Sequence, residues 1–238
     1  MRLSKRLLMN VSLVPEGARV ADIGCDHGYA SIWLASEGNA EKVIAMDVNK
    51  GPIERAREHV RQAGLEDFIA CHQSDGTGKL VPGEVDTLMI AGMGGLLMIR
   101  ILEEGRAVLE HVECLVLQPQ SDIDAVRRYV LGEGFSLTEE KACVEDGKYY
   151  FAMRAERCPA DRQTTWEEEW QYRYGTYLVQ KKDSVLLQYL NKERKKYEEI
   201  LRKFDSGQEE NERGRGLLHK INEIDKCLAQ MMSGPDCQ

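Results

Sequence analysis

The sequence predicts an α/β fold: a seven-stranded, doubly wound sheet followed by a C-terminal antiparallel helical hairpin of coiled-coil type. Three observations carry this reading. Between about Arg19 and Ala155, short apolar runs alternate with amphipathic stretches, the pattern of βαβ units. The first apolar run ends in a glycine-bearing turn, Asp22-Ile23-Gly24-Cys25-Asp26, and the second ends in the carboxylate of Asp47. After Cys158-Pro159 the strand pattern stops and two helical repeats take over.

Along the chain, Leu3, Leu7, Leu8 and Val11 recur at helical spacing with Arg2, Lys5 and Arg6 on other faces, so a capping helix precedes the sheet. Strands are expected at Val20–Ile23, Lys42–Asp47, Phe68–Gln73, Asp86–Ala91, Cys114–Gln118, Phe135–Val144 and Tyr149–Arg154. Asp146-Gly147 is a tight-turn pair, which makes the last two strands an antiparallel hairpin. Pro52 opens a helix whose apolar positions are Ile53, Ala56 and Val60.

The expected division is residues 1–158 as a catalytic, cofactor-binding domain and 159–238 as a helical domain. In the latter, an aromatic segment (Trp166, Trp170, Tyr172, Tyr174, Tyr177) leads into Leu186, Leu190, Tyr197, Leu201 and Phe204. A polar break at Asp205-Ser206-Gly207 separates these from Leu217, Ile221, Ile224, Leu228 and Met231.

The 238 residues carry a net charge of −8, so no global basic field marks a nucleic-acid binder. One local patch departs from this. Lys181 to Lys203 holds eight basic residues against four acidic ones. Such a run is either a solvated helix face or a phosphate-binding surface. Seven cysteines without a C-x-x-C pair fit free thiols in a reducing compartment, and point away from a metal site. A cytoplasmic protein is expected, since no apolar run reaches the ~18 residues of a membrane span.

A strand ending in a glycine turn lets backbone N–H groups approach a ligand, and an acid closing the next strand accepts hydrogen bonds from a ribose diol. In a dinucleotide fingerprint the position of Asp26 would be glycine, and its charge opposes a pyrophosphate. An acidic loop suits instead a ligand with an ammonium and a sulfonium. The series Asp22-x-Gly24, Asp47 and Ser74-Asp75-Gly76 resembles the class I S-adenosylmethionine-dependent methyltransferases. Their Rossmann-like methyltransferase sheet has seven strands, with the last slotted antiparallel between its neighbours.

Further motifs narrow the resemblance. Leu3-Ser4-Lys5-Arg6-Leu7, Asp22-Ile23-Gly24-Cys25-Asp26-His27-Gly28-Tyr29, Ala91-Gly92-Met93-Gly94-Gly95, Leu117-Gln118-Pro119, Glu145-Asp146-Gly147-Lys148-Tyr149-Tyr150 and Tyr174-Gly175-Thr176-Tyr177-Leu178 together are similar to the bacterial tRNA (adenine(22)-N1)-methyltransferase family. Where that pattern leads one to expect Asp-His-Ala-Tyr-Leu-Pro, the chain has Asp26-His27-Gly28-Tyr29-Ala30-Ser31, which frees the start of the following helix.

The resemblance implies an S-adenosylmethionine-dependent tRNA (adenine-N1)-methyltransferase. Gly24, Asp26, His27 and Gly28 would wrap the methionine end, Asp47 would hold the ribose and Asp75 with Gly76 would border the adenine, with Asp22 and Val48 as further cofactor-binding candidates. Ala91, Gly92, Met93, Gly94 and Gly95 would floor the reaction site. Asp75 has a second reading as a helix N-cap, and His27 as a strand-end structural residue. Asp26, His27 and Tyr29 are the catalytic candidates: Asp26 to polarise the target amino group, Tyr29 to stack on the exposed base. No essential general base is expected, because neutral adenine N1 already offers an in-plane lone pair. Arg6, Lys181, Lys182, Lys192, Lys195 and Lys196 are the expected tRNA contacts, and a monomer is favoured. Two alternatives are a small-molecule methyltransferase whose hairpin dimerises, and a cofactor-binding adaptor without catalysis.

Overall fold

The computed structural model describes residues 3–159, 161, 165–203 and 212–233. Arg2, Phe204 and the break at Asp205-Ser206-Gly207 lie outside them. The chain divides into two compact units, 1–164 and 165–238. The first extends past the composition shift at Cys158 because β7 runs to Arg157 and the Cys158 N–H still donates to the Gly134 carbonyl at 2.9 Å.

The first unit is one seven-stranded sheet with strands β1 Ala18–Ile23, β2 Ala40–Asp47, β3 Ile69–Gln73, β4 Thr87–Met93, β5 Cys114–Pro119, β6 Phe135–Glu145 and β7 Lys148–Arg157. Their order is β3-β2-β1-β4-β5-β7-β6. The first five run parallel, and β7 is antiparallel to both β5 and β6. Asp146 and Gly147 close the β6–β7 hairpin with φ of 49° and 72°, the left-handed pair that a two-residue turn of this twist requires.

The central strands are apolar on both faces because helices cover both. Val20, Val43, Ala45, Met89 and Val116 pack in one core with α1 Lys5–Val11, α2 Tyr29–Ser36 and α3 Lys50–Ala63. The intervening positions Ala21, Ile44, Leu88, Ile90 and Leu115 are equally buried on the other side. There α4 Gly95–Glu104, the single turn α5 Arg106–Leu109 and α6 Ile123–Gly132 follow their strands. Along the sheet the chain steps outward from β1 to β3, then returns to place β4 on the other side of β1. The carboxyl ends of β1 and β4 thus flank the switch point where ligands bind in such sheets.

Several boundaries differ from the sequence reading. Phe68 precedes β3 and is half exposed, and Asp86 lies before β4, where it accepts from the Arg19 N–H and guanidinium. The N-terminal helix is shorter than expected: Ser4 caps it by accepting from the Leu7 N–H at 3.3 Å. Its inward residues are Met9, Asn10 and Val11, while Leu8 faces solvent. Of the four apolar positions read as one face, Val11 is buried and Leu3 and Leu7 pack against the core, so the periodicity misplaced Leu8 alone.

One buried ion pair ties α6 to β6. Arg127 and Glu140 are 1% and 0% exposed at their side chains, and Glu140 Oε1 accepts from Arg127 Nε at 2.9 Å and Nη2 at 2.7 Å.

In the second unit, α7 Glu169–Tyr174, α8 Thr176–Gln180 and α9 Ser184–Leu201 precede α10 Glu212–Met232. Arg194 on α9 pairs with Asp225 on α10 at 2.7 Å, and the Lys220 ammonium lies over the Tyr197 ring. The pairing runs in opposite directions along the two helices, so they are antiparallel. Because α7 and α8 also pack on α10, the pair belongs to a four-helix cluster and is not a free-standing two-stranded coil. Among the described residues, no helix is long and apolar enough to cross a membrane.

Candidate active site at the β1–β4 crevice

Asp47 ends β2 as a residue 9% exposed, its carboxylate accepting from the Asn49 N–H at 2.8 Å and the Asp26 N–H at 3.3 Å. The turn after β1 is thereby tied to the end of β2. Gly24 takes φ 78°, which its lack of a Cβ permits, and the Gly24 and Cys25 N–H groups both donate to the Met46 carbonyl. Asp26 is left-handed at φ 51° and its carboxylate is two-thirds exposed, 3.6 Å from His27 Nε2.

Asp22 differs from the strand-end carboxylate that the sequence implied. It pairs in register with Ala45, two positions short of Asp47, and is only 4% exposed. Its Oδ2 accepts a 2.6 Å bond from Ser31 Oγ, a residue wholly buried in α2. Burial pushes this carboxyl up to about 6, the Ser31 bond opposing the rise and the charge of Asp47 adding to it. Serine in place of the expected proline therefore does more than loosen the helix start. It supplies the partner of a buried acid.

Gly28 caps α2 and lies against Ala56 of α3. The same face of α3 carries His59, whose Nδ1 is 2.9 Å from the His27 carbonyl oxygen. His27, Tyr29 and His59 form a patch of nearly parallel rings, with centroid separations of 5.1 to 5.9 Å. Tyr29 is 39% exposed, and His27 Nδ1 accepts from Arg55 Nε at 3.3 Å. His59 was missed in the sequence reading. Its signal was its position three residues beyond Ala56, on the helical face that meets the glycine turn.

On the other side of the crevice, β4 bulges at Ala91-Gly92-Met93 in its pairing with β5. A Cβ on Gly95 would meet the Ser121 carbonyl oxygen at 2.5 Å, so only glycine allows α4 to start this close to the β5 loop. The space beside Gly92 is filled by the Arg6 guanidinium, which donates to Gln118 Oε1 at 3.3 Å and lies over the Tyr150 ring. Gln118 is completely buried. The sequence quoted Gln118 and Tyr150 within motifs without giving them a task.

Between the two sides is a cavity of about 220 Å³. Asp22, Gly24, Asp26, His27 and Tyr29 line one wall, Ala91, Gly92 and Gln120 another, and Arg6, Leu7 and Asn10 of α1 the third. Asp47, Val48 and Asp75 are not part of this lining. Val48 is half exposed, and Asp75 is exposed in the turn after β3, where the Ser74 N–H donates to the Asp47 carbonyl. The Met93 side chain reaches across to Gly24, where its terminal methyl occupies the space a Cβ would need, and the Met93 carbonyl accepts from the Gln120 N–H.

The site provides no activated thiol, since burial pushes the Cys25 thiol far up. A carboxylate at a parallel strand end, a glycine turn one strand away and a cavity reached from the next strand fit a nucleoside with a charged, non-phosphate tail. The family comparison decides the assignment: residues 20–226 match the model for tRNA (adenine(22)-N(1))-methyltransferase, TrmK. The chain belongs to this family. A tRNA (adenine(22)-N(1))-methyltransferase of Bacillus subtilis is 34% identical over 215 residues, covering 87% of this chain and 90% of its own. A crystal structure of Streptococcus pneumoniae Sp1610, described as a putative tRNA (m1A22) methyltransferase, has a TM-score of 0.88 at 33% identity, covering 95% of this chain and all of that one. The same protein in complex with S-adenosyl-L-methionine gives a TM-score of 0.85. The cofactor of this family member is S-adenosylmethionine.

The five candidate lysines of the second unit fall into two groups. Lys192, Lys195 and Lys196 share one exposed face of α9 at helical spacing. Lys181 and Lys182 stand in the turn between α8 and α9, with Lys182 left-handed at φ 51°. Arg194 is committed to Glu198 and Asp225, and Lys196 is 3.3 Å from Glu193.

Proposed function

We propose that this chain methylates N1 of adenine 22 in tRNA, with the ribose of S-adenosylmethionine on Asp47 and its methionine end in the cavity beside Asp22 and Gly24. The observation that carries the reading is the hydrogen bond from the Asp26 N–H to the Asp47 carboxylate, which ties the acid closing β2 to the glycine turn that lines the cavity. Val48, Asp75 and Gly76 border the nucleoside on this reading. Ala91 to Gly95 floor the methyl-transfer position.

S-adenosylmethionine supplies an electrophilic methyl group on a sulfonium. The chain's own task is to bring the adenine edge to it and exclude water, which is where most of the acceleration for a neutral nucleophile arises. Arg6, held by Gln118 and Tyr150 above Gly92, lies where the substrate must enter. Asp26, two-thirds exposed at the rim, accepts from the adenine amino group as cationic character develops. The His27–Tyr29–His59 patch offers a stacking surface that offsets the cost of exposing the base. Lys181, Lys182, Lys192, Lys195 and Lys196 hold the tRNA backbone, supported by their charge and exposure. The protein acts in the cytoplasm as a monomer on this reading, its cysteine usage supporting the reducing compartment.

The test is mass spectrometry of tRNA nucleosides after incubation with the protein and S-adenosylmethionine, with the modified position mapped by primer extension. N1-methyladenine at position 22 is expected. N6-methyladenine formed directly, under digestion mild enough to prevent rearrangement, overturns the choice of nitrogen.

A further inference from the structure

Asn10 is completely buried on the inward face of α1, yet neither its Nδ2 nor its Oδ1 has a hydrogen-bond partner. A buried side-chain amide without partners carries the desolvation cost of both a donor and an acceptor, so it calls for an explanation. Its position supplies one. Asn10 lines the β1–β4 cavity together with Asp22, Gly24 and Ala30, and the nucleoside-side acids Asp47 and Asp75 are absent from that lining. The cavity that Asn10 lines therefore lies away from the acids assigned to the nucleoside.

We propose that Asn10 is a positioning residue for the amino-acid end of the cofactor, its amide N–H donating to the α-carboxylate and its carbonyl oxygen accepting from the α-ammonium. The assignment rests on the cofactor reading above. A neutral amide with both functions matches a zwitterion, where a carboxylate or an ammonium would match only half of it. Asp22 cannot meet the whole need, because an ionised carboxylate only accepts and so cannot donate to the α-carboxylate, and one of its oxygens already takes the Ser31 hydroxyl. The N-terminal helix thereby becomes part of the cofactor site, in addition to covering the sheet.

The experiment compares two ligands on one variant by calorimetry: S-adenosylhomocysteine, which keeps the amino-acid end, and 5′-methylthioadenosine, which lacks it. Asn10→Leu, which has the same branching and no polar atoms, is expected to weaken S-adenosylhomocysteine about tenfold and leave 5′-methylthioadenosine unchanged. The ligand-free variant is expected to melt no lower than the wild type, because removing both unpartnered groups costs the empty protein nothing. If leucine does not fit, Asn10→Ala serves the same comparison of ligands. Equal weakening of both ligands, or of neither, overturns the assignment and returns Asn10 to a structural role. A wild-type chain that binds neither ligand overturns the cofactor reading itself, and this assignment with it, before any variant is made.

Discussion

Ser31 Oγ donates to Asp22 Oδ2 over 2.6 Å, and neither residue is open to solvent. A glycine turn lies between them in sequence, so the bond locks the first turn of α2 onto the strand that carries the cofactor loop. The buried acid is held near 6 by its surroundings.

That shift makes stability depend on pH in a defined direction. Desolvation raises the folded carboxyl from 3.8 to about 6, so between these values the folded ligand-free chain holds a proton that the unfolded chain releases. The stabilisation is full below about pH 4 and is lost as pH rises through about 6, a change on the order of 3 kcal/mol. Asp22→Asn stays neutral and still accepts from Ser31. Relative to wild type it is expected to gain stability steadily from pH 4 to pH 7, measured by urea unfolding. Parallel pH profiles for the two proteins rule the shift out.

Asp47 has a different environment and a different test. Its carboxylate already accepts two backbone N–H bonds and is expected to take the cofactor diol as well. Asp47→Ala should weaken S-adenosylmethionine binding by roughly 1.5–3 kcal/mol, the value of charge-assisted hydrogen bonds to a buried group. Calorimetry with unchanged affinity removes Asp47 from the site.

Replacing Lys192, Lys195 and Lys196 with Gln should weaken tRNA binding and flatten its dependence on salt, by up to about three in the logarithmic slope. S-adenosylmethionine affinity should not move. An unaltered salt slope leaves this face of α9 merely solvated.

The Arg127–Glu140 pair predicts a purely structural effect. Glu140→Gln removes the buried charge paired with Arg127 and is expected to cost about 3–5 kcal/mol in unfolding free energy. Arg127→Met combined with Glu140→Leu should recover most of it, since an apolar pair of similar volume avoids desolvating two ions. A double variant no more stable than the single one contradicts that account.

The sequence by itself determined the seven strands, the antiparallel hairpin at Asp146-Gly147, and the glycine turn and closing acid at Asp22–Asp26 and Asp47. Each is written in local chemistry: strand periodicity, turn residues with positive φ, and an acid at the end of an apolar run. The family resemblance was legible for the same reason, because its motifs sit in those turns. Only the tertiary structure decided how Asp22, Asn10 and His59 take part. Asp22 reads as one more strand-end acid until Ser31 is folded against it, and Asn10 reads as a polar break in an apolar helix face until the cavity opens beside it. His59 is nine residues into α3, and joins His27 and Tyr29 only because Gly28 lets α2 and α3 approach. Burial, and with it the cost or use of a polar group, is a property of what packs around a residue. Local sequence fixes which groups are present, whereas long-range packing fixes which of them are enclosed, paired or left facing a ligand.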